Sequence, residues 1–337
     1  MAITRIGNPA IADQRGINFR NIIINGGMDL AQRGTSTASI TGDGYHTIDR
    51  FKTSISGLGT WTQSQSTDVP SGQGFAKSLK MDCTTADASP ASSDVLIINQ
   101  RIEGQNLQYL KKGTSSAESL TLSFWVKSNK TGTYIAELRD FDNTRSICKA
   151  YTISSASTWE KKTLTFAGDT TGTLDNDNGA SFYLQLFLGA GSDYTSGTLN
   201  TSWNSRTTAN LAVGQVNLAD STSNEWYVTG VQLEAGQVAS DFEFLPYDVN
   251  LRRCLRYFYY DDARIEMSTQ RVSDGKRNGY KQFPVPMRTS PTFTSESSSE
   301  ISNTAVTDTS EYAITFQQSG SDGSLPRYLE YNLSAEL

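Results

Sequence analysis

The sequence predicts an all-β chain: a jelly-roll β-sandwich, then a short helix, then a smaller C-terminal β domain. Three observations point there. Segment after segment alternates apolar and polar residues with a period of two, as a half-buried strand requires. Clusters of Ser, Asn, Asp and Gly separate these segments and mark turns. No helical stripe interrupts them before residue 246, which disfavours folds that alternate strands with helices. Many short strands joined by polar turns describe an antiparallel sandwich.

Residues 1–20 are weakly patterned and broken by Pro9 and Gly16, so they read as an extended arm or linker. Ile22 to Met28 is expected to be a strand that ends in the Gly26-Gly27 turn. In Leu120–Val126, Leu120, Leu122, Phe124 and Val126 share one face, with Thr121, Ser123 and Trp125 on the other. In Ser181–Leu188, Phe182, Leu184, Leu186 and Leu188 line one face, opposite Tyr183 and Phe187. The same alternation places Tyr227, Thr229, Val231 and Leu233 together. Shorter strands are expected at Val95–Ile98, Thr133–Leu138 and Thr163–Phe166.

The pattern changes at Pro246. Tyr247 to Tyr260 predicts a helix, with Leu251, Cys254, Leu255 and Phe258 at helical spacing and Asp248 near its positive end. Its apolar stripe, and Leu251, Leu255 and Phe258 in particular, faces either a neighbouring subunit or the chain's own sandwich. Strand-like text returns over 261–337, where Pro284, Pro286 and Pro291 bound or edge strands. Ser295 to Ser299 reads as a polar turn, and Ala313–Phe316 and Tyr328–Leu333 as strands. A β domain of that size has a thin core and leans on the first domain or on a copy of itself.

Composition bounds the rest. The chain has 337 residues, enough for two domains and an end segment. Its 14 Phe, 15 Tyr and 5 Trp can fill a core although only 36% of residues are hydrophobic. A net charge of -6 repels phosphate backbones, so no nucleic-acid partner is expected. The start carries no apolar leader-like run, and no stretch is long enough to insert into a membrane. Cys83, Cys148 and Cys254 are far apart and odd in number, and read as buried free thiols of a protein folded in a reducing compartment.

A search for chemistry returns little. His46 is the one histidine and has no catalytic flanks, so it reads as structural, and no metal site is assigned. Asp175-Asn-Asp-Asn-Gly179 lacks the register of an EF-hand loop; a plain turn is expected, with structural calcium as the alternative. Glu103, Glu137, Asp140, Glu225, Glu234, Asp241 and Glu243 could supply a carboxylate pair for glycoside cleavage, but sequence places no two of them at the needed separation. Aromatic rings are more suggestive. Trp125 and Tyr183 stand opposite full apolar faces, and Trp61 and Trp203 read as residues of polar loops. Such rings either stack on sugars, whose C–H faces are apolar, or fill a second layer or a subunit contact. Trp61, Trp125, Tyr183 and Trp203 are therefore the candidate glycan-binding residues, and no catalytic residue or cofactor is assigned.

Asn21-Ile-Ile-Ile-Asn-Gly-Gly-Met-Asp-Leu-Ala-Gln-Arg-Gly-Thr35, followed by Gly44-Tyr-His-Thr-Ile-Asp-Arg-Phe51, resembles the opening of a family of phage tail-fibre-like proteins. The similarity runs on through Asn99-Gln-Arg-Ile-Glu-Gly104, Leu120 to Ser128, Trp159-Glu-Lys161, Thr229 to Gly236 and Leu251-Arg-Arg-Cys-Leu-Arg-Tyr-Phe258, and the end Ser334-Ala-Glu-Leu337 resembles the family's close. The resemblance implies a first domain like a carbohydrate-binding module, over 21–245, a helical connector over 246–260 and a small β domain over 261–337. It implies a virion protein of the tail, in a tail-fibre or receptor-binding position. The N-terminal arm, 1–20, would dock to other phage virion proteins, the chain would form a homotrimer, and its ligand would be a host-surface polysaccharide bound without chemistry. The alternatives are a purely structural virion part and a polysaccharide depolymerase. Arg33, Asp49 and Arg50 match family positions and read as core salt-bridge or turn residues or as ligand contacts.

Overall fold

The structure is a computed structural model that describes residues 19–261, 277–295, 304–318 and 331–337. One sheet contains β1 (Ser36–Ile40), β4 (Thr60–Ser66), β5 (Ser78–Thr85), β7 (Leu120–Ser128), β10 (Glu160–Phe166) and β13 (Glu225–Ala235), in the order β1-β4-β5-β13-β7-β10. The other contains β2 (Gly44–Tyr45), β3 (Lys52–Ser56), β6 (Val95–Glu103), β8 (Gly132–Asp140), β9 (Arg145–Ile153), β11 (Ala180–Ala190) and β12 (Asn204–Ser205), in the order β12-β9-β8-β11-β6-β3-β2. Neighbours pair antiparallel throughout. The predicted jelly-roll-like sandwich is the fold of this part of the chain.

The alternating positions read from the sequence build the core. Leu120, Leu122, Phe124 and Val126 of β7 meet Phe182, Leu184, Leu186 and Leu188 of β11 in one buried cluster between the sheets. Each large apolar side chain removed from water contributes roughly 1.5–3 kcal/mol before chain entropy is counted. Trp61 and Trp226 are fully buried in the same layer.

Several expectations are corrected. Ile22 to Met28 is not a strand but a buried run of turns. It makes two backbone bonds to β13, Ile22 N to Leu233 O and Val231 N to Gly26 O, and its other backbone groups turn to side chains: Ile24 donates to Gln100 Oε1 and accepts from Gln100 Nε2, and Leu30 donates to Asn25 Oδ1. Asn25 and Met28 adopt left-handed φ values of 61° and 62°, which no strand contains. The face shared by Tyr227, Thr229, Val231 and Leu233 is also broken. A β-bulge lies between Thr229 and Gln232, and Gly230 takes a φ of +62°. The bulge adds a residue, so Val231 and Leu233 join Trp226 and Val228 in the core.

A short α1 (Ser192–Thr195) lies in the excursion that follows β11. The helix predicted over 247–260 ends early: α2 spans Tyr247–Leu255, starting after Pro246. Phe258 to Asp261, rich in aromatic residues that favour strands, forms β14 instead. α2 packs against its own chain, with Cys254 and Tyr257 clustered on Ile24 and Leu30 and with Leu251 against them. Leu255 and Phe258 are buried as well, and the Arg33 guanidinium lies 3.5 Å from the centre of the Phe258 ring. The three residues considered for a subunit contact are thus covered, wholly or in part, within the chain.

The C-terminal part holds two small sheets. β14 (Phe258–Asp261), β19 (Tyr331–Ser334) and β16 (Thr292–Ser295) form one, and β15 (Arg277–Gln282), β18 (Ala313–Gln318) and β17 (Thr304–Thr309) the other. Phe283, Met287, Ile314, Phe316, Tyr331 and Leu333 cluster between them. Of the predicted arm only Phe19 and Arg20 are described, and both amides donate to Glu243. The rest of the arm, most of the 295–299 turn and residues 328–330 lie outside the described residues. All three cysteines are buried free thiols.

Candidate functional site

Each sheet of the sandwich has an outer face, and the four candidate rings do not converge on either. Trp61 sits inside the sandwich, on β4 and not in a loop. It is wholly buried, its indole N–H donates to Leu58 O at 2.7 Å, and it offers no ring face to a ligand. Trp203 packs against the edge of the core beside Phe182, at 5.9 Å between ring centres, and donates to Ala167 O. Trp125 lies on the outer face of the six-stranded sheet, between Thr229 and Lys161. Tyr183 lies on the outer face of the seven-stranded sheet.

On the six-stranded face the charges are matched. The Lys127 ammonium sits over the rings of Tyr227 and Trp159 and pairs with Asp68, which also accepts from the Trp159 indole. Lys80 pairs with Glu225 at 2.9 Å. This network is closed on itself.

The seven-stranded face is organised differently. Register places Arg101, Tyr183 and Arg139 in one row across β6, β11 and β8. The next row is Lys52, Asn99, Gln185, Glu137 and Cys148. Side chains of paired residues share a face, so eight residues far apart in sequence become neighbours here. Tyr183 is covered from both sides: the Arg101 and Arg139 guanidiniums lie 4.9 and 5.2 Å from its ring centre. Phe141, at the turn after β8, stacks on it at 5.3 Å with an interplanar angle of 11° and remains 47% exposed. Phe141 is the ring that reaches solvent.

The polar groups around these rings are unevenly satisfied. Glu137 is fully buried and paired with Arg206 at 2.8 Å. Asn99 and Gln185 are buried too, yet Asn99 Oδ1 and Gln185 Oε1 have no hydrogen-bond partner among the described residues. The same holds for Nε of Arg101 and of Arg139. Burial, reinforced by the nearby Arg206 charge, lowers the pKa of Arg139 from its ordinary range. Beyond the Gln185 row, Ile97, Ile135 and Phe187 are roofed by Leu211 and Ala212 of the excursion after β11. On the other side Arg101 donates to Leu337 O at 2.8 Å. The row of rings and amides therefore lies between two walls. The arrangement can stack an apolar ring face, accept hydroxyl donors and hold a negative group.

Of these residues the sequence pointed to Tyr183. Gln185 follows from the same alternation, as the residue between Tyr183 and Phe187. Phe141, Arg139, Asn99 and Arg101 had no readable signal, because register alone brings them together.

Four of the acids considered for catalysis are held by partners of their own. Glu103 is bonded by Arg256 and Tyr257, Asp140 by Lys112, Glu234 by Ser240, and Glu243 by backbone amides. Arg33 and Arg50 both pair with Glu336, so these two side chains hold the 331–337 segment in place. Asp49 accepts from Gln32. His46, its pKa lowered by burial, lines a cleft of about 880 Å³ with Arg33, Tyr45 and Phe258. In the 175–179 turn Asp177 accepts from the Gly179 amide, and among the described residues no three His, Cys, Asp or Glu gather as a metal site would require. Among the described residues no helix is long and apolar enough to cross a membrane.

Comparison with known protein families finds no match, and comparison with curated proteins finds none. Solved structures give partial matches. The enzymatically active domain of tailspike protein 4 of bacteriophage CBA120 is 15% identical, with a TM-score of 0.33, over 64% of this chain and 22% of that one. A family 61 carbohydrate-binding module in complex with β-1,4-galactotriose is 9% identical, with a TM-score of 0.30, over 64% of this chain and 99% of that one. A family 11 module from Clostridium thermocellum, in complex with a mixed-linked tetrasaccharide, is 12% identical, with a TM-score of 0.28, over 61% of this chain and 98% of that one. The chain thus matches about a fifth of the tailspike structure and nearly the whole of each module. At these scores the likeness carries no argument about function.

Proposed function

We propose that the chain binds a glycan, without chemistry, on the outer face of the seven-stranded sheet. One observation carries the reading: Phe141 stacked on Tyr183, beside buried amide and guanidinium groups with unused hydrogen-bonding capacity. A sugar ring presents an apolar C–H face to such a ring and hydroxyls to such amides. Together with the sequence resemblance to phage tail-fibre-like proteins, this supports an adhesin of a virion, set in a tail and assembled as a homotrimer. Several copies on one particle would turn weak single-site binding into firm attachment.

A second reading, a structural virion part, draws on a different surface. Phe75, Phe242 and Phe244 form a ring cluster, with Phe244 55% and nearby Tyr247 66% exposed, as a protein contact would need. Mixing the full-length chain with host cells and assaying the medium for released sugars separates the readings. Binding without release is expected. Release would mean a depolymerase, and no binding would favour the structural part.

A further inference from the structure

We propose that the sugar bound on the seven-stranded face is acidic, its carboxylate held by Arg139. The inference rests on the glycan-binding reading above and narrows it to a ligand class.

Arg139 differs from its neighbours. Arg206 pairs with Glu137, Arg145 with Asp169, Arg256 with Glu103, and Arg33 and Arg50 with Glu336. Arg139 has no hydrogen-bond or ion-pair partner among the described residues; its contacts are the rings of Phe141 and Tyr183, at 4.9 and 5.2 Å. Arg101, across Tyr183, already donates to an oxygen of Leu337 at 2.8 Å. Arg139 is thus the guanidinium beside Tyr183 that no acidic group pairs with among the described residues.

Two buried acceptors lie one row away. Gln185 is 6% and Asn99 3% exposed, and a buried oxygen without a partner on each is unfavourable unless a ligand donates to it. Both stand on the face that carries Tyr183. A pyranose bearing a carboxylate meets all three demands. Its carboxylate accepts two parallel N–H bonds from the planar guanidinium, its C–H face lies on the Phe141 ring, and its hydroxyls donate to the amide oxygens. A neutral sugar would leave Arg139 without a counter-charge.

The full-length chain should be titrated with polygalacturonate and alginate, with the same polymers after carboxyl reduction, and with neutral galactan and glucan. Binding to a carboxylate polymer, weakened at least tenfold by carboxyl reduction and by Arg139→Met, is the expected result. Carboxyl reduction leaves the protein untouched, so it decides the matter even if the variant folds poorly. Equal binding to acidic and reduced polymers, or to neutral ones alone, would overturn the acidic-ligand inference and leave glycan binding standing. Binding to none of them would overturn both.

Discussion

Arg50 and Glu336 meet as a buried ion pair, although 286 positions separate them in sequence. Arg50 is 1% exposed, lies 3.5 Å from the centre of the Tyr257 ring, and also donates to Arg101 O. Glu336 receives Arg33 as well. Removing one member of such a pair leaves a charge in a place water does not reach, at a cost of about 3–5 kcal/mol. Glu336→Ala should therefore lower stability by about that much in chemical denaturation, and Arg33→Ala by less, because Arg33 is the more exposed of the two cations. A loss below about 1 kcal/mol for Glu336→Ala would show that the pair does not join the chain's end to the sandwich.

Glu103 predicts an acid limb. Burial raises its pKa, but bonds from Arg256, Tyr257 and Gln105 outweigh burial and hold it below the usual 4.5. A carboxylate depressed in the folded state adds stability above its unfolded value, and that stability is lost as pH falls through the lower folded value. Thermal melting of the native chain should fall as pH drops below about 4.5. Glu103→Gln should be less stable at pH 7 and should lose less on acidification. An unchanged acid limb in that variant would place the titrating group elsewhere.

Strands were legible where the core face is uniformly apolar, as in β7 and β11. They were not legible in β3 and β4, and the reason is inside the sandwich. Gln63 of β4 is fully buried, donates to Thr53 of β3 at 3.0 Å, and accepts from Thr47 at 2.7 Å. A hydrogen-bonded polar pair on the core side erases the alternation, so Trp61 looked like a loop residue. Trp61→Ala should cost roughly 3–5 kcal/mol, the range for deleting a large buried ring. A loss of glycan binding at unchanged stability would contradict its place in the core.

Gly230 marks where the alternation reading failed. A Cβ there would lie 2.5 Å from the Phe75 ring and would carry a left-handed φ. Gly230→Ala should destabilise the chain by roughly 1–3 kcal/mol through both the strain and the clash. The double variant with Phe75→Ala isolates the two causes: removing the ring should recover the clash and leave the backbone strain. Full recovery would mean that φ contributes nothing.

The two outer faces can be told apart by single substitutions. Phe141 is 47% exposed and reached by its neighbours mainly through ring contacts, so Phe141→Ala should change stability by less than about 1 kcal/mol. Loss of a stacking partner is worth about 0.5–1.5 kcal/mol, which corresponds to a roughly twofold to twelvefold rise in Kd. Phe141→Tyr preserves the ring and should bind like the native chain. Trp125→Ala, on the opposite sheet, should leave Kd unchanged in the same titration. If Trp125→Ala weakens binding and Phe141→Ala does not, the ligand sits on the six-stranded face, where Lys127 is already paired with Asp68 and ringed by Tyr227 and Trp159.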